Sequence, residues 1–374
     1  MMTPHLRPIR GRSEAGFTLM EIMITLAITM LIMAGTLRAM NDALRASEVA
    51  QKTTAMNQGL RTAMDIMVRD LLQVGQGLPS TKTIDIPNGS GATAVNLPTR
   101  PGATQRTLSG QTVITAVVPG TGLGPTINGV ATDVITIILA DGAFLSDISD
   151  YDVGLTGLTA TTMTVDSSVD ISNGGADDLK VGDLIMLQKT SGTALGQITA
   201  LDGAQTATFG ASGSLNLNQT AAAAGTLTKY IAKAPVDSCT GSGCLLPYST
   251  ATRIRMISYY IDANTDPARP RLVRRINDNP GTVLAFDVEN LRLSYDLVTA
   301  SSTPAEVTFN AADLAGTGRC SPSACSPNQI RKINLTLTGR SRTVLRQTGQ
   351  FLKNTLTTQV SLRSMAFKDR YPAQ

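Results

Sequence analysis

Between Phe17 and Leu37 the chain reads FTLMEIMITLAITMLIMAGTL, twenty-one residues with a single charge, Glu21. Coiled as an α-helix at about 1.5 Å per residue, the run is about 31 Å long, the depth of a bilayer's hydrocarbon core. Three kinds of chain carry such a run near the start: one with a secretory signal, one with a plain membrane anchor, and one whose leader is cut away just before it. A signal peptide has a short apolar region followed by small residues that flank the cut. Here Met33, Ala34, Gly35 and Thr36 offer no clean A-x-A site. A plain anchor has no use for a carboxylate five residues into its apolar run, because intramembrane charge costs about 2.5–3.5 kcal/mol near the bilayer centre. Glu21 lies toward the end of the run, where that cost falls, and still asks for a partner.

The preceding residues, MMTPHLRPIRGRSEAG, hold three Arg and no apolar run. The junction Gly16-Phe17-Thr18-Leu19-Met20-Glu21 closely resembles the processing site of type IV prepilins and pseudopilins. The resemblance is sharp over roughly residues 10–40. It joins a basic leader, Gly, Phe, a glutamate in the fifth place and an uninterrupted apolar helix. It implies that residues 1–16 are a leader removed by a prepilin peptidase that cuts after Gly16 and methylates the new amino terminus of Phe17. It further implies that Glu21 serves subunit assembly. The helix-kinking proline of many pilins is replaced here by Arg38, with Gly35 nearby, so that curvature is not carried over.

Electrostatics agrees with that reading. Cleavage leaves a positive amine on Phe17 in a water-poor filament core, where a neighbour's carboxylate would neutralise it and either charge alone would be costly. The first and fifth residues also share one helix face, so a contact within the chain is the alternative. The positive-inside rule barely orients the helix: Arg7, Arg10 and Arg12 on one side face Arg38, Arg45 and Lys52 on the other.

No proline occurs between Pro8 and Pro79. Met56, Leu60, Met64, Met67, Leu71 and Val74 keep helical spacing, and Gly75-Gln76-Gly77-Leu78-Pro79 provides a stop. One helix from Phe17 to about Val74 accounts for both stretches; a span followed by a separate amphipathic helix is the alternative. Either way the second stretch is expected to pack on a globular domain. The expected segments are a leader over 1–16, a transmembrane and filament-core helix over 17–75, and a β-rich domain over 76–374.

Strand-like patterns fall at 132–140, 162–169, 183–190, 196–201, 225–232, 253–263, 270–277, 283–297, 330–342 and 357–367. In 330–342, Ile333, Leu335 and Leu337 alternate with Lys332, Asn334 and Thr336, a strand with one wet face. In 283–297 the apolar phase switches between Val288 and Leu291, which predicts a bulge around Asn290. The fold class is therefore α+β, a long N-terminal helix packed on a β-rich domain. The succession of patterns over roughly 250–370 resembles large minor pilins of the PilW type, and less closely the largest minor pseudopilin of type II secretion. Residues 80–250 resemble no family, and their fold stays open.

The single histidine, His5, lies in the expected leader, so the processed chain would hold none. That removes Ser-His-Asp and Cys-His catalysis and every His-ligated metal site. A net charge of +4 without basic blocks gives no electrostatic footprint for nucleic acid. Gly120-Thr-Gly-Leu-Gly lacks the Lys-Ser/Thr of a phosphate loop. Asp262-Ala-Asn264-Thr-Asp266 starts like a calcium loop, but Pro267 follows and the closing Glu is missing, so a turn is expected. Asp141, Asp147, Asp150 and Asp152 are expected in a solvated loop, and Asp287 with Glu289 on the wet face of a strand. No catalytic residue, metal or cofactor is expected.

Cys239, Cys244, Cys320 and Cys325 form two C-x4-C pairs. Four thiolates at this spacing could hold zinc. The resemblance places the domain outside the cytoplasm, where thiols oxidise, and so favours two local disulfides, with crossed pairing open. Each would be worth about 2 kcal/mol.

The resemblance implies a minor pilin: a structural subunit that helps initiate type IV pilus assembly and enters the filament at or near the tip. Its implied partners are the major pilin, other minor pilins, the prepilin peptidase/methyltransferase, the inner-membrane assembly platform and inner-membrane lipid. The implied location is the inner membrane of a Gram-negative cell, domain in the periplasm, and then the pilus. A minor pseudopilin of type II secretion and a tip adhesin are the alternatives.

Overall fold

The computed structural model describes residues 16–99, 106–142, 153–172, 178–211, 213–219, 224–238, 244–297, 305–307, 309, 325–346 and 348–365. One α-helix, α1, runs unbroken from Leu19 to Leu72. It contains no proline, and threonine hydroxyls inside its apolar part turn back onto the helix's own carbonyls. Thr25 donates to Glu21 O at 2.9 Å, Thr29 to Thr25 O at 2.6 Å and Thr36 to Met33 O at 2.9 Å. These polar groups therefore need no water. Past Leu72 the chain turns through Gly75 (φ 74°) and Gly77 (φ 67°), left-handed conformations that favour glycine. The Lys82 ammonium donates to the Gly75 carbonyl at 3.0 Å.

The chain divides into two compact units, Met1–Thr54 and Ala55–Gln374. In the first, every residue from 16 to 47 is exposed, including all the Leu, Ile and Met side chains of the apolar run. Beyond that run the surface is mixed: Met40, Leu44 and Val49 are exposed beside the pairs Asp42–Arg45 (3.7 Å) and Glu48–Lys52 (2.6 Å).

The second unit begins with the remainder of α1, whose Leu60, Ala63, Met64, Met67 and Leu71 are buried. This is the face expected from the sequence, with Ala63 added, and Met56 packs at its margin. The main strands that follow are β1 (Val134–Ala140), β2 (Leu184–Lys189), β3 (Thr250–Asp262), β4 (Arg271–Ile276), β5 (Val288–Leu297), β6 (Ile330–Arg340) and β7 (Lys353–Ser361). A short helix, α2 (Leu227–Ala232), lies between β2 and β3.

Among the described residues β3 organises an eleven-stranded sheet. Its first half pairs with β2 and its second half with β1 and β4, all antiparallel. A four-stranded sheet has the order Ala305–Val307, β5, β6, β7. Ile333, Leu335 and Leu337 of β6 are fully buried while Lys332, Asn334 and Thr336 are half-buried, the alternation read from the sequence. The β5–β6 register shifts between Val288 and Asn290, where the phase change predicts a bulge.

Two cores result. One joins the end of α1 to both sheets and takes in Ile84, Ile86, Val95, Leu97, Ile114 and Val117 from the region the sequence left open. The other is built wholly between Val153 and Ala251, around Leu155, Phe209 and Tyr230. Residues 80–250 thus supply part of the first core and all of the second but Ala251.

Several expectations are corrected. Residues 225–232 are not a strand: Thr226 Oγ1 accepts from Lys229 N at 3.3 Å and caps α2, and the cap overrides the weak alternation. The segment 196–201 straddles two strands, Gly192–Gln197 and Ala200–Asp202. The segment 283–297 is likewise two strands, Thr282–Phe286 and β5, broken at Asp287 with φ 60°. The last strand is β7, ending at Ser361 and followed by a 3-10 turn at Arg363–Met365.

Candidate functional site

The sequence points to the start of α1, and the side chains there form a closed local unit. The Glu21 carboxylate accepts from Thr18 N and Thr18 Oγ1, both at 3.0 Å, while Glu21 N donates to Thr18 Oγ1 at 3.3 Å. This reciprocal pattern is a capping box: Thr18 caps the helix, and Glu21 reaches back to the cap's own amide. In the uncleaved chain residue 17 presents an amide rather than an amine, and Thr18 takes up the carboxylate. The box is written in the sequence as Thr18-Leu-Met-Glu21, a signal that the sequence reading passed over.

Phe17 is 80% exposed, and a Cβ built on Gly16 would meet nothing within 4 Å. Among the described residues, packing therefore does not demand glycine at 16. From Leu19 on, an 18-residue window of α1 has a mean hydropathy of 1.9 and no burial, so length and composition suit a membrane span.

At its other end α1 is fastened to the sheets. The Asp70 carboxylate accepts from Arg274 Nε at 2.6 Å and from the Tyr259 hydroxyl. Burial, then the adjacent Asp70 charge, push the Tyr259 phenol well above its ordinary range, so it stays a donor. Asn354 Nδ2 donates to Asn57 Oδ1 at 2.6 Å. A Cβ on Gly339 would lie 2.9 Å from the Leu60 methyls, so glycine there lets the helix lie close on β6.

The carboxylates weighed in the sequence for chemistry are occupied by bases. Asp287 and Glu289 are buried, not on a wet face, and Phe286 is the exposed neighbour. The break at Asp287 and the bulge after Val288 turn both carboxylates inward. Asp287 meets Arg269 at 3.1 Å; Glu289 meets Lys353 at 2.6 Å, Arg340 at 3.1 Å and Asn128 at 3.1 Å. Burial alone would raise the Glu289 carboxyl, but Lys353, Asn128 and Arg340 outweigh it and hold the group below the usual range.

Asp262 forms the expected turn, accepting from Asn264 N at 2.9 Å, Thr265 Oγ1 at 2.6 Å and Arg271 Nη2 at 2.8 Å. Burial opposes its charge, yet the bonds from Thr265, Arg271 and the Asn264 amide bring its pKa down to about 2. Asp141 is buried rather than solvated, bridging Arg253 and Arg255 at 2.7 Å each. Asp147, Asp150 and Asp152 lie outside the described residues.

A cavity of about 220 Å³ is lined by Asp141, Asp178, Lys180, Asp183, Arg253 and Arg255. Its acids and bases offset one another. Among the described residues no group of three His, Cys, Asp or Glu side chains could hold a metal ion.

Cys244 and Cys325 are both disulfide-bonded, while Cys239 and Cys320 lie outside the described residues. Close in sequence to Cys244, Asp237 accepts from Tyr248 N at 3.0 Å and from Ser249 Oγ at 2.5 Å.

The prokaryotic N-terminal methylation motif matches residues 11–37. Neither any curated protein nor any solved structure matches the chain. The motif, set on an apolar N-terminal helix, supports a type IV pilin-like protein, pilin or pseudopilin. It implies processing by a prepilin peptidase and assembly with other pilins, and it suggests membrane anchoring and entry into a filament. Proteins with this motif are structural subunits rather than enzymes.

Proposed function

We propose that the chain is a minor pilin, made as a membrane-anchored precursor, cut between Gly16 and Phe17, methylated on Phe17 and then carried into a type IV pilus at or near its tip. One observation carries the reading. A helix bearing the processing motif exposes an apolar surface all round from Phe17 to Leu37 and continues without a break into a domain's core. Such a surface is stable in lipid, or among like helices in a filament, and nowhere in water. One apolar surface thus serves two successive environments. The PilW-type assignment and the initiating role rest on the pattern over 250–370, a periplasmic domain on the paired cysteines. Within that reading Cys239 pairs with Cys244 and Cys320 with Cys325, and the subunit carries out no catalysis.

Glu21 has two tasks in this account. Before cleavage it completes the capping box; afterwards its charge meets the Phe17 amine of a neighbouring subunit and fixes axial register. Glu21→Gln separates them, because glutamine also serves in a capping box but carries no charge. The expected result is a membrane-bound, correctly cut subunit that fails to enter filaments. Normal filament incorporation of Glu21→Gln would reduce Glu21 to a helix cap. Minor pseudopilin is the second reading, favoured by the same motif; deletion of the gene tells them apart by loss of surface pili or of exoprotein release.

A further inference from the structure

The long strand β3 has a gap in its pairing. Along one edge β2 covers its first half, as far as Leu184 opposite Ile254, and β4 its second half, from Ile276 opposite Ile257. Neither strand reaches Arg255 or Met256, while β1 runs past both on the opposite edge. Buried backbone groups need partners, and Asn277, just past β4, supplies them. Asn277 N donates to Met256 O at 2.7 Å, and Asn277 Oδ1 accepts from Met256 N at 2.9 Å. It does so at φ 51°, a left-handed conformation that asparagine tolerates.

The cavity of about 220 Å³ lies at this gap, lined by Ile254, Arg255, Ile276 and Asn277, with Asp183 just ahead of β2. Most of its polar atoms are engaged. Asp141 Oδ2 holds Arg253 and Arg255 at 2.7 Å each, Arg253 Nη1 donates to Asp178 O at 2.7 Å, and Asp183 Oδ2 accepts from Lys180 N at 3.0 Å. Two atoms are left over. Asn277 is only 2% exposed, and with Oδ1 taken its Nδ2 has no partner among the described residues. Asp183 Oδ1 is an acceptor in the same state.

Charge and chemistry decide what such a cavity can take. Asp141, Asp178 and Asp183 face Lys180, Arg253 and Arg255 across it. An ion of either sign would meet as many like charges as opposite ones, with nothing to offset its lost hydration. A neutral ligand escapes that cost. The two open atoms are a donor and an acceptor, and a hydroxyl group serves both. Ile254 and Ile276 add apolar surface against which C–H groups can lie. The volume is below the roughly 300–1,000 Å³ of sites for drug-sized molecules, so there is room for one small ring.

We propose that this cavity is a binding site for one neutral hexose unit, whose hydroxyls donate to Asp183 Oδ1 and accept from Asn277 Nδ2 while a C–H face rests on Ile254 and Ile276. The unit is either a free monosaccharide or the terminal residue of a glycan, which share this chemistry. The site lies wholly within the second compact unit and does not rest on the filament role.

The test uses the full chain in a sugar-free detergent, titrated with glucose, galactose, mannose and their methyl glycosides. Saturation transfer to the sugar ring protons is read by NMR. The expected result is transfer to at least one of these sugars, with a Kd of about 1 mM. Binding of a methyl glycoside identifies the terminal residue of a glycan, and binding of the free sugars alone identifies a monosaccharide. Asn277→Asp keeps the acceptor for Met256 N and turns the open donor into an acceptor, so binding should weaken about tenfold. Asp183→Asn keeps an oxygen on Lys180 N and puts an Nδ2 in place of the open acceptor, again with about tenfold weakening. Burial raises the Asp183 carboxyl, so this neutral isostere keeps the fold should the first variant lose it. Absence of transfer to every sugar, or unchanged affinity in a variant that melts cooperatively, overturns the proposal. Tighter binding of acetate or glycine than of any sugar assigns the cavity to an ion or a zwitterion and also overturns it.

Discussion

The two ends of α1 are built from the same Leu, Ile, Met and Ala, yet they solve opposite problems. From Leu19 to Ser47 no side chain is buried, while from Leu60 to Leu71 six are. The difference lies in patterning. The first stretch is apolar on every side and has no polar face to offer water; the second confines its apolar residues to one stripe and places Arg61, Asp65 and Arg69 outside it. A uniform apolar surface fits a uniform surrounding, lipid or a bundle of copies. A stripe fits one partner in one orientation, here the two sheets.

Substitutions can break that comparison. The largest expected effect is at the fastening of the packed end. Asp70→Ala leaves the half-buried Arg274 without its carboxylate and the buried Tyr259 without its acceptor, and should cost about 3 kcal/mol of domain stability. Denaturant unfolding in detergent reads it directly, and a loss under 1 kcal/mol would mean that the pair does not fasten the helix. Next comes a matched pair in one residue type. Met67→Ala removes a fully buried side chain and should cost about 3 kcal/mol. Met30→Ala, at a 63% exposed position, should leave domain unfolding unchanged. Equal effects at the two sites would erase the distinction between the ends.

A smaller effect appears with acid. Asp262 has its carboxyl lowered to about 2 in the fold, against about 3.9 in an unfolded chain. Its contribution is complete above pH 4 and is lost as pH falls toward 2, on the order of 2 kcal/mol. Glu289, also lowered, acts in the same sense. Asp133 and Asp183 are raised by burial and act in the opposite sense, favouring the fold as they protonate. Asp262→Asn should flatten the acid limb of a stability–pH profile, and an unchanged limb would remove Asp262 from that account.

The helix was legible because both of its patterns are long, and because Gly75 and Gly77 punctuate its end. The strand β6 was legible for a similar reason: alternation over many residues leaves little choice of face. The rest failed for local reasons. Thr226 capped a six-residue helix where a strand was expected, and a positive φ at Asp287 cut one apolar segment into two strands. Asp287 and Glu289 look like wet-face residues until their basic partners arrive from Arg269, Arg340 and Lys353, distant in sequence. The core between Val153 and Ala251 is assembled from short, Thr- and Gly-rich strands with weak periodicity. At the candidate site, Gly16, Phe17 and Glu21 stood out through their motif, while the role of Thr18 lay in a capping signal four residues long.

The central claim is that the exposed apolar end of α1 begins at a cut made after Gly16. The mass of the N-terminal peptide, taken from membrane or sheared-filament protein, tests it most directly. A peptide that starts at Phe17 and carries one extra methyl group is the predicted result. A chain that still starts at Met1 or Met2, or one that starts beyond Gly35, would contradict it.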